Sequence, residues 1–509
     1  MSKDFNDDGY LMGLDFGTSN IKGALYDLEG REVAFESVEY DLSMPSKGIV
    51  ENDVNNYWEI LKTIFKNLLS KIDGRADKIL SIGTSSQGET IVPIDKNGNP
   101  LRKAIVWIDT RSTAEADEIR KQFDIDEMYK LTGQADVDTS WPATRIKWLK
   151  KNEPEIFDKT YKFMLLEDFI AYKLTGGFFG EASVYNSSYY YDIMNFKFIS
   201  KMLDYLEINE SRLPVVNKPG TCIGNISGKC SSETGLSVKT KVIMGAMDQV
   251  CGAVGAGNVD SGMVTETTGS AFAMIITTGA PIINKEFKLP CSLHAVPGLY
   301  ALMPYSVTGG MVLKWFKDTF CQHEEEISKI ENKNIYAIMD QIAGEAPAGC
   351  EGMIMIPHIC GALFPEYNYN AKGVYFGITI NSKKSYFIRA ILEAIAYMMR
   401  QDLGYIKKLG IDVKRLISIG GGAKSSIWCQ IKADVCGLDL EVPDYTETAL
   451  LGAAILGASG SGIFRDVKTA CKNLVKIKKI YKPGLINTKV YDDNFHKYNL
   501  LYKSIEKLF

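Results

Sequence analysis

The chain has 509 residues, more than one hydrophobic core can serve, so at least two domains are expected. Its 46% hydrophobic and 24% charged residues are globular values, and a formal net charge of −4 gives no electrostatic reason to expect nucleic-acid binding. Ten scattered cysteines with no C-x-x-C pair, no secretory apolar core and no bilayer-length apolar run point to a cytoplasmic protein with free thiols. His294, His323, His358 and His496 lie far apart, so a His-based metal site has no support and each reads as a loop or surface residue.

Residues 11–26, LMGLDFGTSNIKGALY, read as strand, tight polar turn and return strand. Gly17 allows close backbone approach or positive φ. Thr18 and Ser19 can turn N–H and O–H donors toward an anion, the geometry of a phosphate nest. Asp15 would repel that phosphate unless a cation lay between them, and Mg²⁺ held by one or two carboxylates, phosphate oxygens and water removes the conflict. An ordinary hairpin with an Asp-Gly-type turn suits the same residues equally well.

A second turn at 27–30 leads to a third strand, 32–40, so an antiparallel start to a mixed sheet is expected. A helix is predicted over 54–71, with Trp58, Leu61, Ile64, Phe65, Leu68 and Leu69 on one face, Asp53 as cap and Gly74 beyond its end. Short strands follow at 78–83, before Thr84-Ser85-Ser86-Gln87-Gly88-Glu89-Thr90, and at 91–94; Ala104–Trp107 ends a further strand amid polar side chains. Residues 112–212 read as helical, with amphipathic pieces at 145–150 and 165–174, and 214–228 as irregular. A strand at 242–245 then enters Ala246-Met247-Asp248-Gln249 and a small-residue segment, and a domain boundary is placed between 258 and 259.

The second half opens with GMVTETTGSAFAM, again strand, Thr/Gly/Ser turn, strand, which suggests an internal duplication. A ligand held by two such turns would lie in a cleft between the domains. A long helix is predicted over 388–408, a strand over 415–419, then the glycine-rich Gly420–Ser426, a helix over 427–436 and another from Thr448 whose Gly and Ala residues permit close packing. The glycine loop is neither G-x-x-x-x-G-K-[ST] nor G-x-G-x-x-G. It suits backbone contact with a nucleotide or a purely structural turn.

Asp248 stands where a strand meets a helix, a position that serves equally for a helix cap and for a base accepting a proton from an attacking hydroxyl. Gln87, Glu89, Trp107 and Asp109 follow successive strand ends, and polar groups beside an aromatic wall suit a polyhydroxylated ligand; core packing for Trp107 and a solvated Glu89 are the plainer reading.

In this order and over about residues 10–460, GLDFGTSNIKGALYD, AIVWIDTRS, RIKWLKKNEPEIF, LLEDFIAYKLTG, PGTCIGNIS, AMDQVCGAVGAG, TTGSAF, NAKGVYFGIT and LISIGGGAKSSIWCQIKADVCGLDLEVP resemble the FGGY carbohydrate kinases, the family of xylulokinase, gluconokinase and glycerol kinase. The resemblance implies an α/β fold of two ribonuclease H-like domains of the actin/hexokinase/Hsp70-type ATPase class with an interdomain cleft. It implies ATP and Mg²⁺, with Asp15 on the metal, Gly17, Thr18 and Ser19 around the phosphates, and Lys22 where glycerol kinases carry an arginine. Gly269 and Ser270 resemble the second phosphate turn, Gly310 and Lys314 neighbour the nucleotide, and Gly421, Gly422 and Ser426 resemble the adenosine loop. Asp248 falls on the catalytic base, with a share in the metal site, and Gln87, Glu89, Trp107, Asp109, Asp248 and Gln249 on the acceptor.

The acceptor pocket is a hybrid. Xylulokinases carry a histidine where Glu89 stands, whereas Gln87, Glu89 and Thr90 match the glycerol-kinase Q-R-E-T run with Gly88 in place of its arginine; the glycine loop follows the xylulokinase branch. A pentulose is the first acceptor expected, then glycerol or erythritol, then a hexulose or aldonate. A non-catalytic sugar-responsive regulator and an actin- or chaperone-like ATPase are the other classes, and Asp15, Asp248 and both turns speak against the first of them. The family leaves a homodimer open and implies no membrane or nucleic-acid partner.

Overall fold

The computed structural model describes residues 9–509, which divide into two compact units, neither of them one continuous segment. The first comprises the chain up to Val259, Gly279–Ala301 and Glu447–Val475; the second comprises Asp260–Thr278, Leu302–Thr446 and Lys476–Phe509.

The first unit is built on a six-stranded mixed sheet in the order Cys222–Asn225, Lys241–Met247, Ile79–Ser86, Tyr10–Phe16, Asn20–Asp27, Glu32–Glu39. Its last three strands are the expected antiparallel meander, and Tyr10–Phe16 also pairs in parallel with Ile79–Ser86. Tyr10–Phe16 is buried along its whole length, which is why it reads as an apolar run rather than as alternation. The helix Val54–Ser70 covers one face, its Asp53 side chain accepting the Asn55 N–H, with Trp58, Leu61, Ile64, Phe65, Leu68 and Leu69 all buried. The helix Thr448–Gly460 packs on the same unit, against Asp248–Gly255. Cβ atoms on Gly255 or Gly452 would overlap the Thr448 and Cys251 carbonyls, so these two glycines permit the crossing.

Four expectations need correction. The stretch read as irregular, 214–228, holds the edge strand Cys222–Asn225 of the six-stranded sheet. The strand expected at 78–83 runs on to Ser86, carrying Ser85 into the sheet. Within the stretch read as helical, Lys162–Leu165 is a strand pairing with Ile91–Ile94 in a second, antiparallel sheet; the apolar run Phe163–Leu166 carries no period that separates strand from buried helix. His294 and His358 are buried rather than at the surface, and burial pushes both down to about 4.

The second unit repeats the opening motif. Met263–Thr268 and Phe272–Thr278 form a hairpin, and Met263–Thr268 runs parallel to Arg415–Ile419, which runs parallel to Leu440–Pro443. Lys384–Lys408 is the long helix expected, beginning one turn earlier than its apolar pattern. All ten cysteines are free thiols, and among the described residues no helix is long and apolar enough to cross a membrane.

Candidate active site

In the first unit Tyr10–Phe16, Ile79–Ser86 and Lys241–Met247 run parallel and end at one edge, the carboxyl edge at which ligands collect in such sheets. Their register puts Asp15, Ser85 and Ala246 in one row and Phe16, Ser86 and Met247 in the next, so Asp15, Gln87 and Asp248 emerge together.

Ser85 Oγ donates to Asp15 Oδ1 at 2.7 Å, and burial raises the Asp15 carboxyl above its ordinary range despite that bond. Lys22, its partner across the hairpin, acts to lower it, but the ammonium is tied to Glu447 at 2.6 Å. Asp248 is the first residue of the helix Asp248–Gly255, one position past the cap, and its Oδ1 accepts the Gln249 N–H at 2.6 Å. Burial, then the charges of Asp15 and Glu89, push the Asp248 carboxyl up to about 7. The backbone before it is fixed: the Met247 N–H donates to Ser183 Oγ at 3.0 Å, and Ser183 donates on to buried Glu181 at 2.5 Å. Gln249 follows with its side chain exposed.

The Gly17–Thr18 turn, Gln87 and Trp107 form one network. Trp107 Nε1–H donates to Thr18 Oγ1 at 2.8 Å, and weaker contacts of 3.4 Å join Thr18 to Gln87 Oε1 and Gln87 Nε2 to the Gly17 carbonyl. Thr18 is thereby engaged with the wall, while Ser19 is exposed. Gly17 does not use positive φ; a Cβ there would sit 3.1 Å from both Asn20 oxygens, so the turn needs glycine for space.

Glu89 does hold a strained backbone, at φ 62°, in the left-handed region that non-glycine residues avoid. Burial pushes its carboxyl up to about 7 against a hydrogen bond from Ser187 and the charge of Arg145. Arg145 is fully buried and donates to the carbonyls of Glu89 at 2.8 Å, Trp107 at 2.6 Å and Asp109 at 3.2 Å, so one guanidinium fixes both the Glu89 and the Trp107–Asp109 loops. Asp109, expected to touch the acceptor, has both oxygens occupied. They accept the Val50 N–H at 2.5 Å and the Arg111 backbone N–H, Nε and Nη2 at 2.9, 2.9 and 2.8 Å.

Arg145 and Ser187 are absent from the residues expected at the site. Arg145 had a readable signal: Pro142, Ile146 and Leu149 share its helix face, and a charge on an apolar face asks for a partner. Ser187 had none, lying in a short 3₁₀ turn.

In the second unit Gly269, Ser270, Gly310, Lys314, Gly421 and Gly422 line one cavity of about 450 Å³. The Gly310 and Met311 N–H groups donate to the carbonyls of Gly269 and Ser270 at 2.8 and 3.1 Å, seating the helix Met311–Phe320 on the turn. A Cβ on Gly310 would stand 2.5 Å from the Gly269 carbonyl oxygen, so only glycine allows this approach. Trp428, Met311 and Leu313 give an apolar wall with Asp340 and Ser425 as polar groups, the lining a base and ribose require. Lys314 reaches this cavity, but its ammonium pairs with Asp318 at 2.5 Å. Ser426 does not line it: its hydroxyl accepts from Tyr481 at 3.0 Å, and Ser425 stands in its place.

Among the described residues no group of three or more His, Cys, Asp and Glu side chains could hold a metal. The charge of Asp15 raising the Asp248 carboxyl is the observation that fits a cation, since Mg²⁺ is held by one or two carboxylates with phosphate and water completing its shell.

Residues 10–255 match the model of the FGGY family of carbohydrate kinases, N-terminal domain, and residues 267–461 that of its C-terminal domain. A xylulose kinase of Staphylococcus epidermidis is 28% identical over 98% of this chain and 97% of its own length. An autoinducer-2 kinase of an Enterobacter species is 27% identical over 97% of this chain and 94% of its own. The crystal structure of a xylulose kinase from Rhodospirillum rubrum superposes with a TM-score of 0.89 at 24% identity, covering 98% of this chain and 99% of that one. That likeness and the mixed α/β architecture in two units identify the fold as the ribonuclease H-like ATPase type.

Proposed function

Since the chain belongs to the FGGY family of carbohydrate kinases and is an ATP-dependent sugar kinase, we propose that its acceptor is a pentulose and that Asp248 is the base of an in-line phosphoryl transfer. The observation that carries this reading is the Asp248 carboxyl at about 7, at the end of a fixed strand beside Asp15 and Glu89. A base poised near neutral pH takes a hydroxyl proton and can release it again.

The acceptor lies against Trp107, with Gln87 and Glu89 offering hydrogen bonds to its hydroxyls. Arg145 and Asp109 hold those loops without touching it. Asp248 accepts the proton of the attacking hydroxyl, whose oxygen bonds to the γ-phosphorus of ATP as the bond to the β–γ bridging oxygen breaks and ADP leaves. Asp15, with Asp248, would hold Mg²⁺, which neutralises phosphate charge when bound. Gly17, Thr18 and Ser19 in the first unit, and Gly269, Ser270, Gly310, Gly421 and Gly422 in the second, are the proposed nucleotide contacts.

Glu89 favours a second reading, a kinase of a small polyol such as glycerol or erythritol, because two carboxylate oxygens can accept from two adjacent hydroxyls. A hexulose, an aldonate or the autoinducer-2 named for one group of relatives is distinguished by the same experiment. ADP release with Mg·ATP is measured against D- and L-pentuloses, hexuloses, aldonates, glycerol, erythritol and autoinducer-2. One pentulose with kcat/KM of about 10⁴ M⁻¹s⁻¹ or more, the lower edge of typical enzymes, is the expected result. A polyol or autoinducer-2 above every pentulose overturns the substrate assignment. ADP release that depends on no acceptor overturns the kinase assignment to this acceptor class.

A further inference from the structure

Two strands and a helix of the second unit meet at one buried ion pair. Lys432 Nζ stands 2.6 Å from Glu266 Oε1, and both side chains have 0% exposure. Lys432 also donates to Thr268 Oγ1 at 2.9 Å, Thr268 donates to Glu266 Oε2 at 2.7 Å, and Ser418 donates to Glu266 Oε1. Glu266 and Thr268 belong to Met263–Thr268, Ser418 to Arg415–Ile419 and Lys432 to Ser426–Cys436. These are the elements from which the two cavity loops spring. Thr268 and Gly422 line the cavity, and a Cβ on Gly422 would lie 2.8 Å from Thr268 Cβ and 3.2 Å from Lys432 Nζ. The ammonium therefore sits directly behind the point where the loops touch.

Taking two charges out of water costs several kcal/mol per ion, and well-packed apolar residues often serve stability as well or better. The pair instead fixes direction. It holds the Thr268 hydroxyl, the strand that enters the glycine loop and the helix after that loop in one hydrogen-bonded unit.

We propose that Lys432 and Glu266 are positioning residues for the nucleotide, pinning the Thr268–Ser270 turn to the Gly420–Ser425 loop at the spacing that the donor requires. This rests on the reading of the cavity as the nucleotide site. Without Lys432, Thr268 loses its donor and Glu266 keeps only hydroxyl partners, so the turn is free to shift relative to the glycines.

Mg·ADP binding is measured by calorimetry, with thermal stability alongside, in the wild type and four variants. Ala337→Trp, which fills the cavity from another wall, tests the site itself and is expected to weaken binding at least tenfold. Lys432→Met is expected to weaken it by a similar factor and to lower Tm. The double variant Glu266→Leu/Lys432→Leu removes both charges, so its Tm is expected near the wild-type value while its Kd remains about tenfold raised, a loss of about 1.4 kcal/mol. Glu266→Gln, which keeps the side-chain shape, is the arm least able to disturb folding and is expected to raise Kd by a smaller factor. Wild-type Kd in both the double variant and Glu266→Gln overturns the proposal and makes the pair a structural filler. Wild-type Kd in Ala337→Trp overturns the cavity assignment, and the proposal with it.

Discussion

Strand-end carboxylates are treated in opposite ways by the two units. In the second unit Glu266 is fully buried and answered by Lys432, Ser418 and Thr268. In the first, Asp15, Glu89 and Asp248 are raised by burial; Ser85, Ser187, one backbone N–H and the charge of Arg145 near Glu89 answer them only in part, and Lys22, the cation facing Asp15, is paired with Glu447. A compensated charge belongs to scaffold. Carboxylates left raised together at the carboxyl edge of a sheet are what a functional site, rather than scaffold, is expected to hold.

The contrast can be broken most severely at Asp248. Asp248→Asn is expected to lower kcat by about 10³-fold, within the range of lost general base catalysis, while the Kd of Mg·ADP stays within about twofold. Loss of both together in a steady-state and calorimetric comparison makes the residue structural. Asp15→Asn is expected to cost about 10²-fold in kcat, the scale of one preorganised electrostatic group, with a higher Mg²⁺ concentration needed for half-maximal rate. A Mg²⁺ titration unchanged from wild type removes Asp15 from the metal.

Arg145→Met sharpens the comparison from the scaffold side. It is expected to raise KM for the acceptor about tenfold or more through the loosened Glu89 and Trp107 loops, with Mg·ADP affinity unchanged. Equal losses for both ligands would mean general unfolding. The mildest perturbation is pH. A base with a value of about 7 loses its active form as pH falls, so kcat/KM for the acceptor is expected to decline about tenfold per pH unit below 7 and to level off above it. A flat profile from pH 5 to 8 removes Asp248 as the titrating base.

Much of this was legible in the sequence because each hairpin couples an apolar run to a small polar turn, and that pairing survives any tertiary context. The hairpin read over 11–26 and the strands over 91–94 and 415–419 followed from apolar runs, the helix read over 54–71 from its period and cap, and the helix read over 427–436 from the glycines that bound it; the structure has them within one residue. The cavity residues Gly269, Ser270, Gly310, Lys314, Gly421 and Gly422 were named from the family resemblance, and they share one lining. What could not be read were contacts at long range. Nothing local ties Arg145 to the carbonyls of Glu89 and Trp107, or Lys432 to Glu266, 166 positions away. The partners of Asp109 were equally hidden, because a carboxylate at a strand end looks the same whether or not Arg111 and the Val50 N–H occupy it. Ser425 rather than Ser426 lines the cavity, which a one-residue difference at a helix entry does not reveal in sequence.

The most direct test of the uncompensated charge is the Tm of wild type and Asp248→Asn at pH 8 and pH 5. The folded value of about 7 lies above the ordinary 3.8, so the stability linked to this group is fully present below about 4 and is lost as pH rises through 7. At pH 8 the substitution removes a repelled charge, and Tm is expected to rise by about 2 °C or more while turnover is lost. At pH 5 the folded wild-type carboxyl is protonated, so the gap between the two Tm values is expected to narrow, and it closes below about 4. A helix-terminal carboxylate of purely structural use gives the reverse: a lower Tm for Asp248→Asn at pH 8 with turnover retained, and that result contradicts the account.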